Sequence, residues 1–116
     1  MWERRVELEG FASVMEAVRN AVPGLKNRAI AGPHDYEQIP ALVERSKQRV
    51  RNFYADFNAR LVDVPFIAGD NFSVADITAV VTVDFATKAA GLPIAEEHAA
   101  LKRWYDAVSA RASMAA

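Results

Sequence analysis

Few side chains in this sequence could perform chemistry, and cysteine is absent altogether. Without cysteine the chain has no thiolate nucleophile, no disulfide framework and no thiolate metal site. The two histidines are His34, in a stretch of loop-forming residues, and His98. A metal site needs three or four converging ligands, and the sequence offers these histidines no evident partners. We therefore predict no metal site.

The three tyrosines are the remaining candidates for a catalytic hydroxyl group. Tyr54 and Tyr105 fall on apolar helical stripes, and we interpret both as core residues. Tyr36 lies in a loop and has no evident partner in the sequence. The sequence therefore assigns no catalytic residue.

Ser73 and Asp76 pair a hydroxyl with a carboxylate, but their spacing is typical of a helix start. Serine is a preferred N-cap residue, and an acidic residue three positions later can accept from the backbone N–H of the cap. Phe72 and Ile77 flank this pair with the spacing of a hydrophobic staple. We therefore predict that these four residues are structural and begin a helix, with Asp76 at the positive end of the helix dipole.

The segment after this cap, from Thr78 to Phe85, is apolar almost all round. Such a pattern is typical of a buried central helix. The run from Ile77 to Phe85 is rich in β-branched residues and also fits a β-strand, which is the alternative interpretation. The cap favours the helix, and so does the length of the run up to Gly91, where Gly and the following Pro93 provide a stop.

Apolar residues at helical spacing predict three more helices, over residues 1–22, 39 or 40–61, and about 96–112. The first has an apolar stripe made of Leu8, Phe11, Met15, Val18 and Val22. Gly10 interrupts that helix at an expected cost of about 1 kcal/mol relative to alanine. Together the segments predict a single all-α domain over residues 1–116, a bundle of four main helices around a central buried helix.

Charge and hydropathy limit the possible partners. Acidic residues number 15 and basic residues 14, which argues against a basic surface for nucleic acid. The N-terminal residues Met1–Arg5 carry charges and no apolar signal-peptide core. No apolar run approaches the roughly 18 residues of a membrane span. We expect a cytoplasmic protein whose partners include neither nucleic acid nor a membrane.

The twelve residues from Phe66 to Ile77 resemble the capping-box and staple segment of the glutathione transferase C-terminal domain. The family pattern there is an apolar pair, Gly, two variable residues, an apolar residue, Ser/Thr, any residue, Ala, Asp and Ile/Val, and every position matches. Residues Met1–Glu7 resemble the first helix of that domain in bacterial members, and Leu101–Tyr105 resembles a late helix that ends near Arg111. Ala112 departs from the family, which usually has Pro after that Arg.

The resemblance implies a parent enzyme with an N-terminal thioredoxin-like domain, which binds most of the glutathione and supplies the Ser, Tyr or Cys that stabilises the thiolate. We expect that domain to be absent from residues 1–116, which have no βαβ pattern. Glutathione would be the co-substrate of the full-length parent, and the chain itself is expected to need no cofactor. The parent is expected to be a homodimer, and the isolated chain is expected to be inactive.

Within such a parent, the helical domain would contribute the electrophile-binding pocket for conjugation of glutathione to hydrophobic electrophiles, a detoxification reaction. Trp2, Arg5 and Glu9 lie on one face of the first helix, with Arg4 beside them. The resemblance implies that this face is solvent-exposed in the chain alone and binds substrate in the parent; otherwise these charges form an ordinary solvated surface. The alternative function is a stand-alone, non-catalytic helical module that binds other proteins.

Overall fold

The computed structural model of the chain describes residues 2–111, and these form an all-α bundle. The helices are α1 Trp2–Arg5, a π-helical segment Val6–Phe11, α2 Ala12–Ala21, a short 3-10 helix Pro23–Leu25, α3 Pro40–Asp63, α4 Val74–Ala90 and α5 Ala99–Ser109. The predicted fold class is confirmed, and the strand alternative for residues 77–85 is wrong. The last helix begins three residues later than predicted, and the predicted end at Ala112 lies outside the described residues.

The first helical stretch contains an irregularity that the sequence did not predict. Between α1 and α2 the backbone is π-helical, with wider turns than an α-helix. The wider turns shift the register of the side chains, so Val6 and Gly10 are buried whereas Leu8 is 57% exposed. The predicted apolar stripe is therefore wrong at Leu8 and at Phe11, which also lies at the surface.

Gly10 lies where the first helical stretch crosses α3. A Cβ atom at this position would lie 2.9 Å from Cε2 of Phe53, a distance that real Cβ contacts essentially never show. Glycine therefore allows the two helices to approach closely, because a Cβ atom here would force the Phe53 ring to move. The residue that looked like an interior weakness in the sequence favours the packing of two helices.

The core lies along α3, which contributes Val50, Phe53, Tyr54, Phe57 and Leu61. The Phe57 ring meets the Trp104 ring of α5 edge to face, with 4.6 Å between the ring centroids. Aromatic pairs in this geometry add to the stabilisation that burial alone provides. Helix α3, predicted over residues 39 or 40–61, thus provides the main apolar surface of the bundle.

Helix α4 is only partly buried. Ala79, Val80 and Val83 are in the core, whereas Ile77 is 37% exposed and Val81 is 49% exposed. The sequence pattern suggested burial all round, and one apolar face of this helix is open to solvent instead.

No helix within residues 2–111 is both long and apolar enough to cross a membrane.

Candidate functional site

The start of α4 has the local geometry of a capping box. The Ser73 hydroxyl accepts a hydrogen bond from the backbone N–H of Asp76. In return, the Asp76 carboxylate accepts from the backbone N–H of Ser73 at 2.9 Å. These bonds satisfy backbone donors that a helix start would otherwise leave without partners.

The Asp76 side chain also joins three separate parts of the fold. It is fully buried, and its Oδ1 atom accepts from the backbone N–H of Ile67 at 3.0 Å and from Nε1 of Trp104 at 2.8 Å. A buried Trp needs an acceptor for its N–H, and an acidic residue at the start of an apolar helix is one candidate. That long-range pairing was not predicted from the sequence.

The two predicted staple residues, Phe72 and Ile77, have different environments. The Phe72 ring packs edge to face on Phe66, with 6.0 Å between centroids, and the Arg111 guanidinium lies 4.0 Å from the Phe72 ring centroid. Ile77 lies on the open face of α4. Direct packing between Phe72 and Ile77 therefore stays a prediction.

The predicted substrate-binding face is held by contacts within the bundle. Nε of Arg5 lies 2.7 Å from Oε2 of Glu9, and its Nη2 lies 3.1 Å from Oδ2 of Asp56 on α3. The same guanidinium lies 4.2 Å from the Trp2 ring centroid, and Trp2 lies 6.2 Å from the Phe57 ring. Three of the four predicted residues are thus brought together against α3.

The exposure of this face differs from the prediction. Arg4 is exposed, but Trp2, Arg5 and Glu9 are half-buried and none lies inside the core. The hydrogen bond between them raises the pKa of Arg5 and lowers the pKa of Glu9. The face is a partly covered ion-pair cluster, and its role in substrate binding stays a prediction.

The tyrosines are tied to acceptors in the bundle. Tyr54 is buried and donates to the backbone carbonyl of Leu92 at 2.9 Å, and burial raises the pKa of this tyrosine. Tyr105 is half-buried and donates to Asp84, and this hydrogen bond raises the pKa of Tyr105. Both hydroxyls are therefore already committed as hydrogen-bond donors within the bundle. Tyr54 ties α3 to the connection after α4, and Tyr105 ties α5 to α4, although Tyr105 is less buried than a core residue.

Two surface features that the sequence did not locate bear on function. The first, the apolar groove, lies between the π-helical segment and the open face of α4, and is lined by Glu7, Phe11, Ile77, Thr78 and Val81. Its apolar members come from two helices that pack against each other. The groove is therefore a continuous surface of the bundle rather than an accident of one loop.

The second feature, the loop cavity, has a volume of about 640 Å³ and lies between α2, the connection 26–39 and the start of α3. Tyr36, without an evident role in the sequence, lines it. The connection is fixed to α2 by side chains: Gln38 Nε2 donates to the Val22 carbonyl at 2.7 Å, and Asn20 Oδ1 accepts from the Ile39 N–H at 2.8 Å. The irregular connection 26–39 is thus fixed to α2 by side-chain hydrogen bonds and forms one wall of the cavity.

No group of three or more His, Asp or Glu side chains within residues 2–111 is arranged to hold a metal ion. His34 and His98 both lie outside the helices, in the connections before α3 and before α5.

Comparisons with known proteins match the sequence and the fold of this chain to one family. The family model described as "Glutathione S-transferase, C-terminal domain" matches residues 40–107. Glutathione S-transferase 2 of Saccharomyces cerevisiae is 32% identical over 115 residues, which are 98% of this chain and 46% of the relative. The chain therefore spans about half the length of this curated relative.

Solved structures agree with the sequence comparison. Gtt2 from Saccharomyces cerevisiae superposes with a TM-score of 0.86 at 30% identity, over 99% of this chain and 52% of that structure. A class Gtt2 glutathione S-transferase of Vibrio parahaemolyticus superposes with a TM-score of 0.77 at 32% identity, over 98% and 48% of the two chains. In both, nearly the whole of this chain matches about half of the other.

Proposed function

This chain belongs to the glutathione S-transferase family through its C-terminal helical domain, and from that premise we propose that it is the helical half of a glutathione transferase. In this role it bounds the pocket for a hydrophobic electrophile, and a thioredoxin-like domain binds glutathione beside it. The complete enzyme would be a cytoplasmic homodimer acting in detoxification.

The open apolar groove is the observation that carries this proposal. Phe11, Ile77 and Val81 expose apolar surface on two adjoining helices, although the sequence pattern of α4 is that of a helix covered on all sides. Exposed apolar patches of this kind mark contact sites for another protein surface. The groove is therefore assigned to the thioredoxin-like domain.

The tyrosine hydroxyls of the bundle are consistent with separate roles for the two domains. Conjugation needs a thiolate at lowered pKa, and the hydroxyls of Tyr54 and Tyr105 are hydrogen-bonded within the bundle with raised pKa values. Thiolate stabilisation therefore falls to the thioredoxin-like domain. The helical half contributes shape and apolar surface, with Trp2 and the exposed Arg4 at the edge nearest the N-terminus.

A chimera tests the assignment of the groove. The N-terminal half of the yeast relative, fused ahead of this chain, supplies a thioredoxin-like domain. Val81→Asp places a charge in the groove at a position that is 49% exposed in the isolated chain. We expect a loss of conjugation activity of about tenfold or more in the chimera, because a buried unpaired charge weakens a domain contact strongly.

The matched control is Val62→Asp, at an exposed valine on α3 outside the groove. The control should leave conjugation close to that of the parent chimera. Equal activity of the two variants would remove the groove from the domain contact. If the chimera binds no glutathione while the groove still captures a different protein, the alternative function as an interaction module gains support instead.

A further inference from the structure

We propose that the loop cavity binds a small amphipathic molecule made of an aromatic or aliphatic body and one cationic amine. The cavity is separate from the apolar groove, and the two share no lining residue. The proposal rests on the isolated chain and does not depend on the assignment of the groove.

The apolar body is indicated by the walls of the cavity. Met15 of α2, Ile30 of the connection and Ile39 beside α3 line the same space. Ile30 is 57% exposed and Ile39 is 51% exposed, so both retain apolar surface that a ligand would remove from water. A volume of about 640 Å³ lies within the range of small-molecule sites.

The cavity is already shaped for a ligand. Nη1 of Arg19 donates to the Arg28 carbonyl at 2.8 Å, and Nε2 of Gln38 donates to the Arg19 carbonyl at 2.9 Å. Asn20, which accepts from the backbone of Ile39, is itself buried. A ligand entering this space would not have to order the connection, and the entropy cost of binding is reduced accordingly.

The cationic end is indicated by the charges that line the cavity. Three carboxylates line it, on Glu16, Asp35 and Glu37, against one guanidinium on Arg19. Glu16 already accepts from Ser46 and lies 3.8 Å from Nη2 of Arg45, so its charge is offset. The ion pairs found among residues 2–111 include neither Asp35 nor Glu37. These two carboxylates give the rim a negative field that favours an amine over a carboxylate.

Isothermal titration of the 116-residue chain with three probes of the same body tests the proposal at low ionic strength. The probes are the cationic 1-naphthylmethylamine, the neutral 1-naphthylmethanol and the anionic carboxylate of 1-naphthaleneacetic acid, called the acetate below. We expect saturable one-to-one binding, with the amine bound about tenfold more tightly than the acetate. Absence of saturable binding for all three probes, or equal affinity for the amine and the acetate, would overturn the proposal.

Variants at exposed positions locate the site. Ile30→Ser should weaken all three probes, because it removes apolar wall, whereas Val81→Ser in the apolar groove should weaken none. Asp35→Asn combined with Glu37→Gln should abolish the preference for the amine while leaving the neutral alcohol unchanged. If Val81→Ser weakens binding as much as Ile30→Ser does, the probes bind in the groove and the assignment to the cavity is wrong.

Discussion

Replacement of Asp76 by alanine removes an acceptor that three parts of the fold share. Its carboxylate accepts from the Ser73 backbone, from the Ile67 backbone and from Trp104 Nε1. Ile67 and Trp104 are both buried, so water cannot replace the lost acceptor. Each buried donor without a partner costs about 1–3 kcal/mol, and a lost helix cap about 1 kcal/mol. We expect Asp76→Ala to lower the free energy of unfolding by about 4 kcal/mol.

Ser73→Ala is the matched comparison, because it removes the hydroxyl of the same cap and leaves the bonds to Ile67 and Trp104 in place. We expect this variant to lose only about 1 kcal/mol. Urea unfolding followed by tryptophan fluorescence measures both, and a second variant, Trp104→Phe, allows a double-mutant cycle with Asp76→Ala. Equal losses for Asp76→Ala and Ser73→Ala, or no coupling in the cycle, would refute the role of Asp76 as a shared acceptor.

Three further predictions concern helix contacts. Gly10→Ala should lower the free energy of unfolding by about 2 kcal/mol through overpacking, whereas Gly24→Ala, which meets nothing within 4 Å, should change it little in urea unfolding. Tyr105→Phe should cost about 1 kcal/mol of unfolding free energy at neutral pH. Since the folded-state pKa of Tyr105 is raised, this contribution is present below pH 10.0 and is lost as pH rises through the folded-state value. The difference in stability between wild type and variant should therefore shrink in alkaline unfolding experiments. Glu9→Gln should cost only about a few tenths of a kcal/mol of unfolding free energy at pH 7, because the pair with Arg5 is partly exposed to solvent. The folded-state pKa of Glu9 is lowered, so its contribution is present above pH 4.5 and is lost as pH falls through the folded-state value. The urea midpoints of wild type and variant should therefore converge as the pH is lowered through that range.

Local signals in the sequence were sufficient for the helical nature of the long segments and for the start of α4. Ser73 and Asp76 predict a cap because both partners lie within one turn. Gly91 predicts a stop because glycine readily adopts the left-handed conformation of a helix end, and its φ in the structure is 68°. Apolar spacing likewise predicts the helix that became α3. These features depend on residues close together in the chain, which is why a single sequence reveals them.

Contacts between distant parts of the chain were not predictable in the same way. The bond from Trp104 to Asp76 spans 28 residues, and the contact of Gly10 with Phe53 depends on how closely two helices cross. The π-helical segment shifts the register around Leu8 without any marker in the local pattern. Such features are set by tertiary packing, which overrides helical periodicity.

The candidate surfaces were predicted least well. Trp2, Arg5 and Glu9 were grouped correctly by helical spacing, but their partner Asp56 on α3 could not be read from that spacing. The open face of α4 escaped prediction because a helix that is apolar all round looks the same whether its last face is covered by its own domain or by another. The loop cavity depends on side-chain bonds across an irregular connection, which have no sequence period.

The most direct test of the proposed function compares the isolated 116-residue chain with the chimera that carries the N-terminal half of the yeast relative. Both are assayed for conjugation of glutathione to a generic aromatic electrophile. The proposal predicts no turnover by the isolated chain above the uncatalysed rate, and clear turnover by the chimera. Turnover by the isolated chain would place the thiolate chemistry within the helical bundle and contradict the assignment.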